Sequence, residues 1–244
     1  MSELEGRVAL VTGASGGIGG AIALALARAG ARLLLAGRDA ERLAELAARA
    51  RRSSPRLEVR PADLAADTEV EGLVSRLLEL FGGVDVLVHS AGAFAAGPIE
   101  STNVGELDRL YRINLRAPYF LTQALLPSLR ERRGQVVFVN SSVTGRATVG
   151  PYAALKHALK AIADSLREEV NRDGVRVLSV FPGRTASAMQ EEVHRFEGRI
   201  YHPERMLQPE DVAASVVHAL ALPRTAEVTD LHLRPLRPWA EPVG

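Results

Sequence analysis

Short apolar runs alternate with longer amphipathic stretches along almost the whole chain. The runs are continuous in hydrophobicity, which is typical of parallel strands that are covered on both faces. The predicted strands are 7–12, 32–37, 57–60, 84–89, 135–140, 175–181 and 227–233. The predicted helices are 17–29, 39–52, 66–81, 103–115, 117–131, 151–172 and 209–221. This alternation predicts an α/β fold with a doubly wound parallel sheet of about seven strands and helices on both faces.

No break in composition divides the chain, so we predict one domain over residues 1–244. The segment 184–208 is irregular and rich in charge, and it carries Met189 and Phe196; we expect it to form a lid over a substrate. The tail 234–244 is rich in proline and is predicted to be extended.

Composition excludes several classes of protein. Hydrophobic residues make up 47% of the chain, enough for a core, but no apolar run reaches the roughly 18 residues of a membrane span. The N-terminus shows no leader pattern, and without cysteine we expect a cytoplasmic enzyme with no disulfides. The six histidines lack metal-ligand spacing, so no metal is expected. The formal net charge of +1 favours neither nucleic acid nor an anionic membrane as partner.

Small and polar residues follow each of the first six predicted strands, where open α/β sheets bind ligands. After the first strand, a glycine-rich turn leads into a helix, an arrangement that suits a pyrophosphate. The candidate cofactor-binding residues at these exits are Gly13, Ser15, Gly17, Ile18, Gly19, Arg38, Asp63, Leu64, Ser90, Ala91, Gly92, Pro182, Gly183 and Thr185. Ser141 and Ser142 follow the fifth strand.

Tyr152 and Lys156 lie four residues apart in the predicted helix 151–172, so they share one face. A phenol beside an ammonium can donate a proton near neutral pH. Together with a turn that binds pyrophosphate, the pair indicates hydride chemistry on a carbonyl or an alcohol.

These motifs resemble those of the short-chain dehydrogenase/reductase family, in its short, single-domain, Rossmann-type branch. TGASGGIG (12–19) resembles the family's TGxxxGxG turn, and HSAG (89–92) resembles its NNAG stretch. Asn114, Ser142, Tyr152 and Lys156 match the family's catalytic tetrad. Asp63 matches the adenine contact, and PGRT (182–185) matches the segment beside nicotinamide.

The resemblance implies an oxidoreductase that transfers hydride between a nicotinamide and a carbonyl or secondary alcohol. Tyr152 would then be the proton donor, Ser142 would bind the substrate oxygen, and Asn114 would hold backbone geometry and a relay water. Lys156 would bind the ribose as well as act on Tyr152. The family also implies a homodimer or homotetramer, packed through the helices at 103–131 and 151–172.

Two departures from the family pattern leave alternatives open. The spacing from Ser142 to Tyr152 is shorter than usual by about two or three residues, so the loop 143–151 is trimmed, and Ser141 is an alternative for the serine role. His89 and Ser90 stand where the family often has two asparagines, so the ribose contact on the nicotinamide side can differ.

Tyr152 needs help to work near neutral pH. Lowering a tyrosine pKa from about 10 to about 7 takes about 4 kcal/mol. An ammonium about 5 Å away at an effective dielectric of about 20 supplies about 3 kcal/mol. We therefore expect Lys156 to lower the pKa of Tyr152.

Arg38 predicts NADP(H) in preference to NAD(H), because a guanidinium pairs with the 2′-phosphate where an acidic residue would bind ribose hydroxyls. Asp39 is expected to cap the next helix. Three of the candidate residues also have a purely structural interpretation: Arg38 can be a surface arginine, and Asp63 and Thr185 can be caps. For the whole chain the alternative is a catalytically idle NADP(H)-binding sensor or scaffold.

Overall fold

The computed structural model describes residues 3–143, 145 and 147–236, and it contains a seven-stranded sheet with helices on both faces. The strands are β1 (Val8–Thr12), β2 (Arg32–Gly37), β3 (Leu57–Pro61), β4 (Val86–His89), β5 (Gln135–Val139), β6 (Arg176–Pro182) and β7 (Asp230–Leu233). The helices are α1 (Gly17–Arg28), α2 (Ala40–Ala50), α3 (Asp67–Phe81), α4 (Val104–Tyr111), α5 (Ala117–Glu131), α6 (Gly150–Val170), α7 (Ala188–Phe196) and α8 (Pro209–Leu220).

All neighbouring strands pair in parallel, in the order β3-β2-β1-β4-β5-β6-β7. The predicted Rossmann-type doubly wound sheet is therefore confirmed. The strand order reverses between β1 and β4, and a cleft opens at the carboxyl ends of strands that flank such a reversal. This cleft is where the predicted site residues should meet.

The core forms two layers because side chains of successive strand residues point to opposite faces of the sheet. In β4, Val86 and Val88 pack in the layer that α1, α2 and α8 cover. Leu87 packs in the opposite layer, against α3, α5 and α6. Continuous apolar strands are thus buried on both faces, as the sequence pattern predicts.

The predicted helix 103–115 is the first difference from the expected elements. Helix α4 ends at Tyr111, and a π-helical segment, Arg112–Arg116, joins it directly to α5. The second difference lies in 184–208, which was expected to be irregular but contains α7, capped by the side chain of Ser187.

The last strand begins at Asp230, later than the predicted residue 227. The Glu227 carboxylate accepts the hydrogen bond of the Val177 N–H at 2.8 Å, a bond that a strand carbonyl would otherwise accept. Of the predicted tail, residues 237–244 lie outside the described residues, as do Thr144 and Arg146 of the trimmed loop. Within the described parts of the chain, no helix is long and apolar enough to cross a membrane.

Candidate active site

A cavity of about 1290 Å³ lies at the carboxyl ends of the strands. All of the predicted cofactor-binding residues line it: Gly13, Ser15, Gly17, Ile18, Gly19, Arg38, Asp63, Leu64, Ser90, Ala91, Gly92, Tyr152, Lys156, Pro182, Gly183 and Thr185. Ser141 and Ser142 also line it, whereas Asn114 is fully buried behind it. The fold therefore brings together residues from six strand exits.

Two glycines allow close backbone packing at the turn after β1, which touches the backbone after β4 at Gly13. Gly13 has a φ of +67°, and a Cβ there would lie 2.6 Å from the Ala91 nitrogen. A Cβ on Gly19 would lie 2.3 Å from the Gly13 oxygen. No side chain caps the N-terminus of α1, which follows this turn. The close-packed turn and the uncapped amides fit a pyrophosphate group.

The rim of the cavity after β2 carries two arginines. Arg38 lies just before the N-cap of α2 and is exposed, and Arg42 lies in the first turn of α2; both line the cavity. Asp39 caps α2, as predicted, by accepting a 3.0 Å hydrogen bond from the Arg42 N–H. Its carboxylate also lies 3.3 Å from the Arg42 Nε. Arg42 was not predicted from the sequence; its signal is the second arginine in the run Arg38–Arg42 that follows β2.

The serine beside the phenol of Tyr152 is Ser141. Its hydroxyl forms a hydrogen bond with Tyr152 that lowers the tyrosine pKa, and it also accepts a bond from the Val143 N–H at 3.2 Å. Ser142, the serine chosen from the sequence register, is exposed. Successive residues of an extended segment point in opposite directions, so only one of the two can face Tyr152. The geometry thus favours the alternative that the sequence left open.

Lys156 is buried, and its ammonium donates a 2.9 Å hydrogen bond to the Val139 carbonyl at the end of β5. Its Nζ lies 5.9 Å from the centroid of the Tyr152 ring. Burial lowers the pKa of Lys156 from 10.5 to about 8. The side chain therefore remains mostly charged at neutral pH while it is held against the sheet.

The expected lowering of the Tyr152 pKa by Lys156 is wrong for this geometry. Burial raises the pKa of Tyr152 above its ordinary value of 10.0, and the hydrogen bond from Ser141 offsets only part of the effect. The reason is that the phenolate form loses its hydration in the buried site. Phe94 contributes to this enclosure, with its ring edge-on to that of Tyr152 at 5.3 Å between centroids.

Asn114 lies in the π-helical segment between α4 and α5, a type of irregularity that is frequent at functional sites. Its Oδ1 accepts a 3.1 Å bond from the Ala93 N–H, and its Nδ2 donates 3.0 Å bonds to the carbonyls of Ala93 and Leu110. The side chain thus fixes the loop after β4 by binding its backbone. These contacts agree with the expectation that Asn114 holds the backbone geometry.

The segment 184–208 begins directly over the glycine-rich turn. Ser187 caps α7, and its Cβ lies 3.3 Å from the place that a Cβ on Gly17 would occupy. Thr185 is buried, donates a 3.0 Å bond to the Gly183 carbonyl and pairs with Leu207 near the end of the segment, so it caps no helix. Ser187, which the sequence analysis did not select, lines the cavity beside Thr185.

Two further candidate residues, His89 and Asp63, make hydrogen bonds within the protein. His89 is buried outside the cavity lining, where its Nε2 lies 2.8 Å from the Thr122 hydroxyl and its ring stacks on Phe138. Burial lowers the pKa of His89 to about 3. Asp63 lines the cavity and also accepts a 3.0 Å bond from the Ala65 N–H, in the turn before α3. Among the described residues, no cluster of histidine and carboxylate side chains is arranged to hold a metal ion.

Comparisons with known proteins agree with this geometry. Residues 7–198 match the family model described as short chain dehydrogenase. An uncharacterized oxidoreductase of Staphylococcus aureus (strain USA300) is 33% identical over 243 residues, covering 97% of this chain and 100% of the relative.

Two solved structures are similar over nearly the full chain. An alcohol dehydrogenase from the archaeon Thermococcus sibiricus, complexed with 5-hydroxy-NADP, has a TM-score of 0.86 and 30% identity, covering 98% of this chain and 99% of that one. A 3-ketoacyl-(acyl-carrier-protein) reductase from Brucella melitensis, complexed with NADH, has a TM-score of 0.82 and 25% identity, covering 95% and 98%.

Proposed function

The chain belongs to the short-chain dehydrogenase family and is an oxidoreductase of CH–OH and C=O groups, and on that premise we propose that it uses NADP(H) and Tyr152 to interconvert a carbonyl compound and a secondary alcohol. One observation carries this proposal. Ser141, Tyr152 and Lys156 meet in the same cavity that the glycine-rich turn lines.

The nicotinamide, when bound, supplies or accepts the hydride. Because the pKa of Tyr152 is raised, its phenol stays protonated at neutral pH and can donate to the oxygen of a carbonyl as negative charge develops there. Ser141 donates to the same oxygen and so stabilises that charge. In the direction of alcohol oxidation, the phenolate must accept the proton, and the hydrogen bond from Ser141 is the contact that favours this form.

The cavity can also hold the non-reacting parts of the cofactor. The turn at Gly13–Gly19 and the N-terminus of α1 fit the pyrophosphate, and Ser187 and Thr185 border the nicotinamide end. Asn114 contributes indirectly. Its side chain makes three hydrogen bonds to backbone atoms of Ala93 and Leu110, and these bonds fix the loop that carries Gly92.

The preference for NADP(H) follows from the charges after β2. Arg38 and Arg42 together offer two guanidinium groups to a 2′-phosphate. Asp39, which follows Arg38 directly, accepts the capping hydrogen bond of α2 and so is less able to bind ribose hydroxyls. The two arginines therefore support NADP(H) more strongly than Arg38 alone.

The test is NADPH and NADH oxidation by the purified protein against ketones, aldehydes, diketones and 3-oxoacyl thioesters, with Tyr152→Phe beside it. We expect Tyr152→Phe to lower kcat by about 10² to 10⁴-fold, the usual contribution of a general acid. NADPH binding should be retained, because the phenylalanine ring can keep the contact with Phe94. Tyr119→Phe, at an exposed tyrosine on α5, is the matched control.

Unchanged turnover in Tyr152→Phe would overturn the proposed mechanism. Measurable NADPH binding without turnover of any carbonyl compound would instead support the idle sensor or scaffold.

We also infer that the protein is a homodimer or homotetramer. Leu107 and Tyr111 of α4 and Tyr119 of α5 are large apolar or aromatic side chains that are 40% to 53% exposed. A second copy of the chain that packs on these helices would bury them. Light scattering coupled to gel filtration measures the assembly, and a monomer at micromolar concentration would contradict this inference.

A further inference from the structure

One face of α7 lines the part of the cavity that contains Tyr152 and Lys156, which we call the catalytic half. Met189, Val193 and Glu197 line the cavity and are spaced four residues apart, so they form a single stripe along the helix and its C-cap. The other side of the helix is anchored through His194, which is buried with its ring edge-on to Tyr201 at 5.5 Å. The stripe therefore has a fixed direction toward the substrate space.

The stripe begins over the reacting groups and ends away from them. The Met189 Cε lies 3.9 Å from the place of a Cβ on Gly92, and that place is 3.8 Å from the Lys156 Nζ. Eight residues of helix span about 12 Å, so Glu197 borders the space that the far part of a substrate would occupy.

An ion pair closes this far end. The Arg184 Nη2 donates to both carboxylate oxygens of Glu197, at 2.7 and 2.8 Å, and the side chains are only 13% and 21% exposed. The Arg199 Nε lies 3.7 Å from the same carboxylate. Glu197 thus neutralises an arginine in the wall of the cavity.

Beside the polar residues Asn140, Ser141 and Ser142, apolar side chains line the rest of this half: Phe94, Val143 and Val149. Lys156 is engaged by the Val139 carbonyl, and Arg234, a further cation that lines the cavity, is exposed to solvent, which screens its charge.

Resting on the proposed function, we propose that Glu197 determines substrate specificity: by neutralising Arg184 it selects carbonyl compounds with uncharged, apolar substituents and disfavours those with a carboxylate in the far half of the cavity. An incoming carboxylate would meet the charge of Glu197, and the arginine that could bind it is already paired.

The experiment compares two ketones that differ only in this charge, methyl 4-acetylbenzoate and 4-acetylbenzoate, each with NADPH. We expect kcat/KM of the wild type to be at least about tenfold higher for the ester. In Glu197→Gln, which removes this carboxylate charge beside Arg184, kcat/KM for the carboxylate should rise by about tenfold while that for the ester changes little.

Two further variants make the outcome decisive. Arg184→Met leaves the Glu197 charge in the wall and should increase discrimination against the carboxylate, which also tests the proposal if Glu197→Gln fails to fold. Glu191→Gln removes the same charge from an exposed position of α7 that does not line the cavity, and should leave the ratio of the two substrates within about twofold of the wild type.

A wild-type preference for the carboxylate, or a ratio that neither Glu197→Gln nor Arg184→Met moves, would overturn the proposal. If neither ketone is turned over, their dissociation constants from the NADPH complex, measured by calorimetry, give the same comparison. Tighter binding of the ester without turnover would then support the role of Glu197 and contradict the proposed function.

Discussion

The Lys156 ammonium and the Val139 carbonyl oxygen, 2.9 Å apart, join helix α6 to the end of strand β5. Val139 is two residues before Ser141, and Tyr152 is one helical turn before Lys156. The bond therefore fixes the separation between the serine and tyrosine that face the substrate space. The bond also holds the charged ammonium of Lys156 in a buried place, so we expect the activity to depend on the pH at which this group loses its proton.

Carbonyl reduction should lose rate as pH rises through about 8. Burial lowers the pKa of Lys156 to about 8, so its ammonium, to which the family resemblance assigns the binding of the cofactor ribose, is lost above that pH. Tyr152 itself does not cause this loss, because its pKa is raised and its phenol keeps its proton in the same range. We expect kcat/KM for NADPH-dependent reduction to fall toward tenfold per pH unit above about pH 8.

The measurement is a profile of kcat/KM from pH 6 to 10 at constant ionic strength, with NADPH affinity determined at each pH. A profile that stays flat up to pH 10 would show that the charge of Lys156 is retained or not required.

Ser141→Ala should lower kcat far more than Ser142→Ala. Ser141 bonds the Tyr152 hydroxyl, and the loss of one donor to a developing oxyanion typically costs about 10² to 10³-fold. Ser142 is exposed, and its replacement should change kcat by no more than about twofold. Steady-state kinetics of both variants with the best carbonyl substrate distinguish the two serines, and the reverse order of effects would restore the assignment made from sequence.

Arg38→Gln and Arg42→Gln should each weaken NADPH binding by about ten- to a hundredfold, since a hydrogen bond to a charged group contributes about 1.5–3 kcal/mol. NADH lacks the 2′-phosphate, so its affinity should change little. Fluorescence titration of both cofactors measures this, with Arg49→Gln, an exposed arginine on α2 outside the cavity lining, as control. Equal losses for NADH and NADPH would contradict a 2′-phosphate site.

His89 should destabilise the protein in acid. Its pKa is 6.5 in the unfolded chain and about 3 in the buried site, so below pH 6.5 the unfolded state binds a proton that the native state does not. Stability therefore falls as pH decreases from 6.5 to 3, by about 5 kcal/mol in total. His89→Asn should give a flatter dependence of the urea midpoint on pH over this range.

The control for this change is His218→Asn, at an exposed histidine on α8. If His89→Asn and the wild type lose stability in parallel between pH 6.5 and 4, burial of His89 is not the cause of the acid sensitivity.

Much of the fold follows from local pattern. The runs around Val8, Leu33 and Val136 are apolar without interruption, and each forms a strand that is buried on both faces. The strand exits then lie at one edge of a parallel sheet, which explains why residues as distant in sequence as Gly13 and Gly183 were expected in one site and line one cavity.

What the sequence left unpredicted depends on contacts in three dimensions. The choice between Ser141 and Ser142 depends on which side of the chain faces Tyr152 after β5, a single-residue register that motif matching did not resolve. The pKa of Tyr152 depends on burial by residues such as Phe94, which spacing does not reveal. Helix α7 was missed because its polar residues obscure the short apolar stripe of Met189 and Val193.

The pairing of Thr185 with Leu207 holds together the two ends of the segment between them. The Leu207 N–H donates to the Arg184 carbonyl at 3.0 Å and the Ala186 N–H donates to the Leu207 carbonyl at 2.8 Å, so the chain leaves and rejoins the body of the protein at one place. For a flexible loop whose ends are already held together, a doubling of length adds only about 0.6 kcal/mol of closure entropy. Segments of different length and sequence can therefore be exchanged between these two residues during evolution or design without a change in the sheet, and each new segment must replace the contact of Ser187 with the glycine-rich turn.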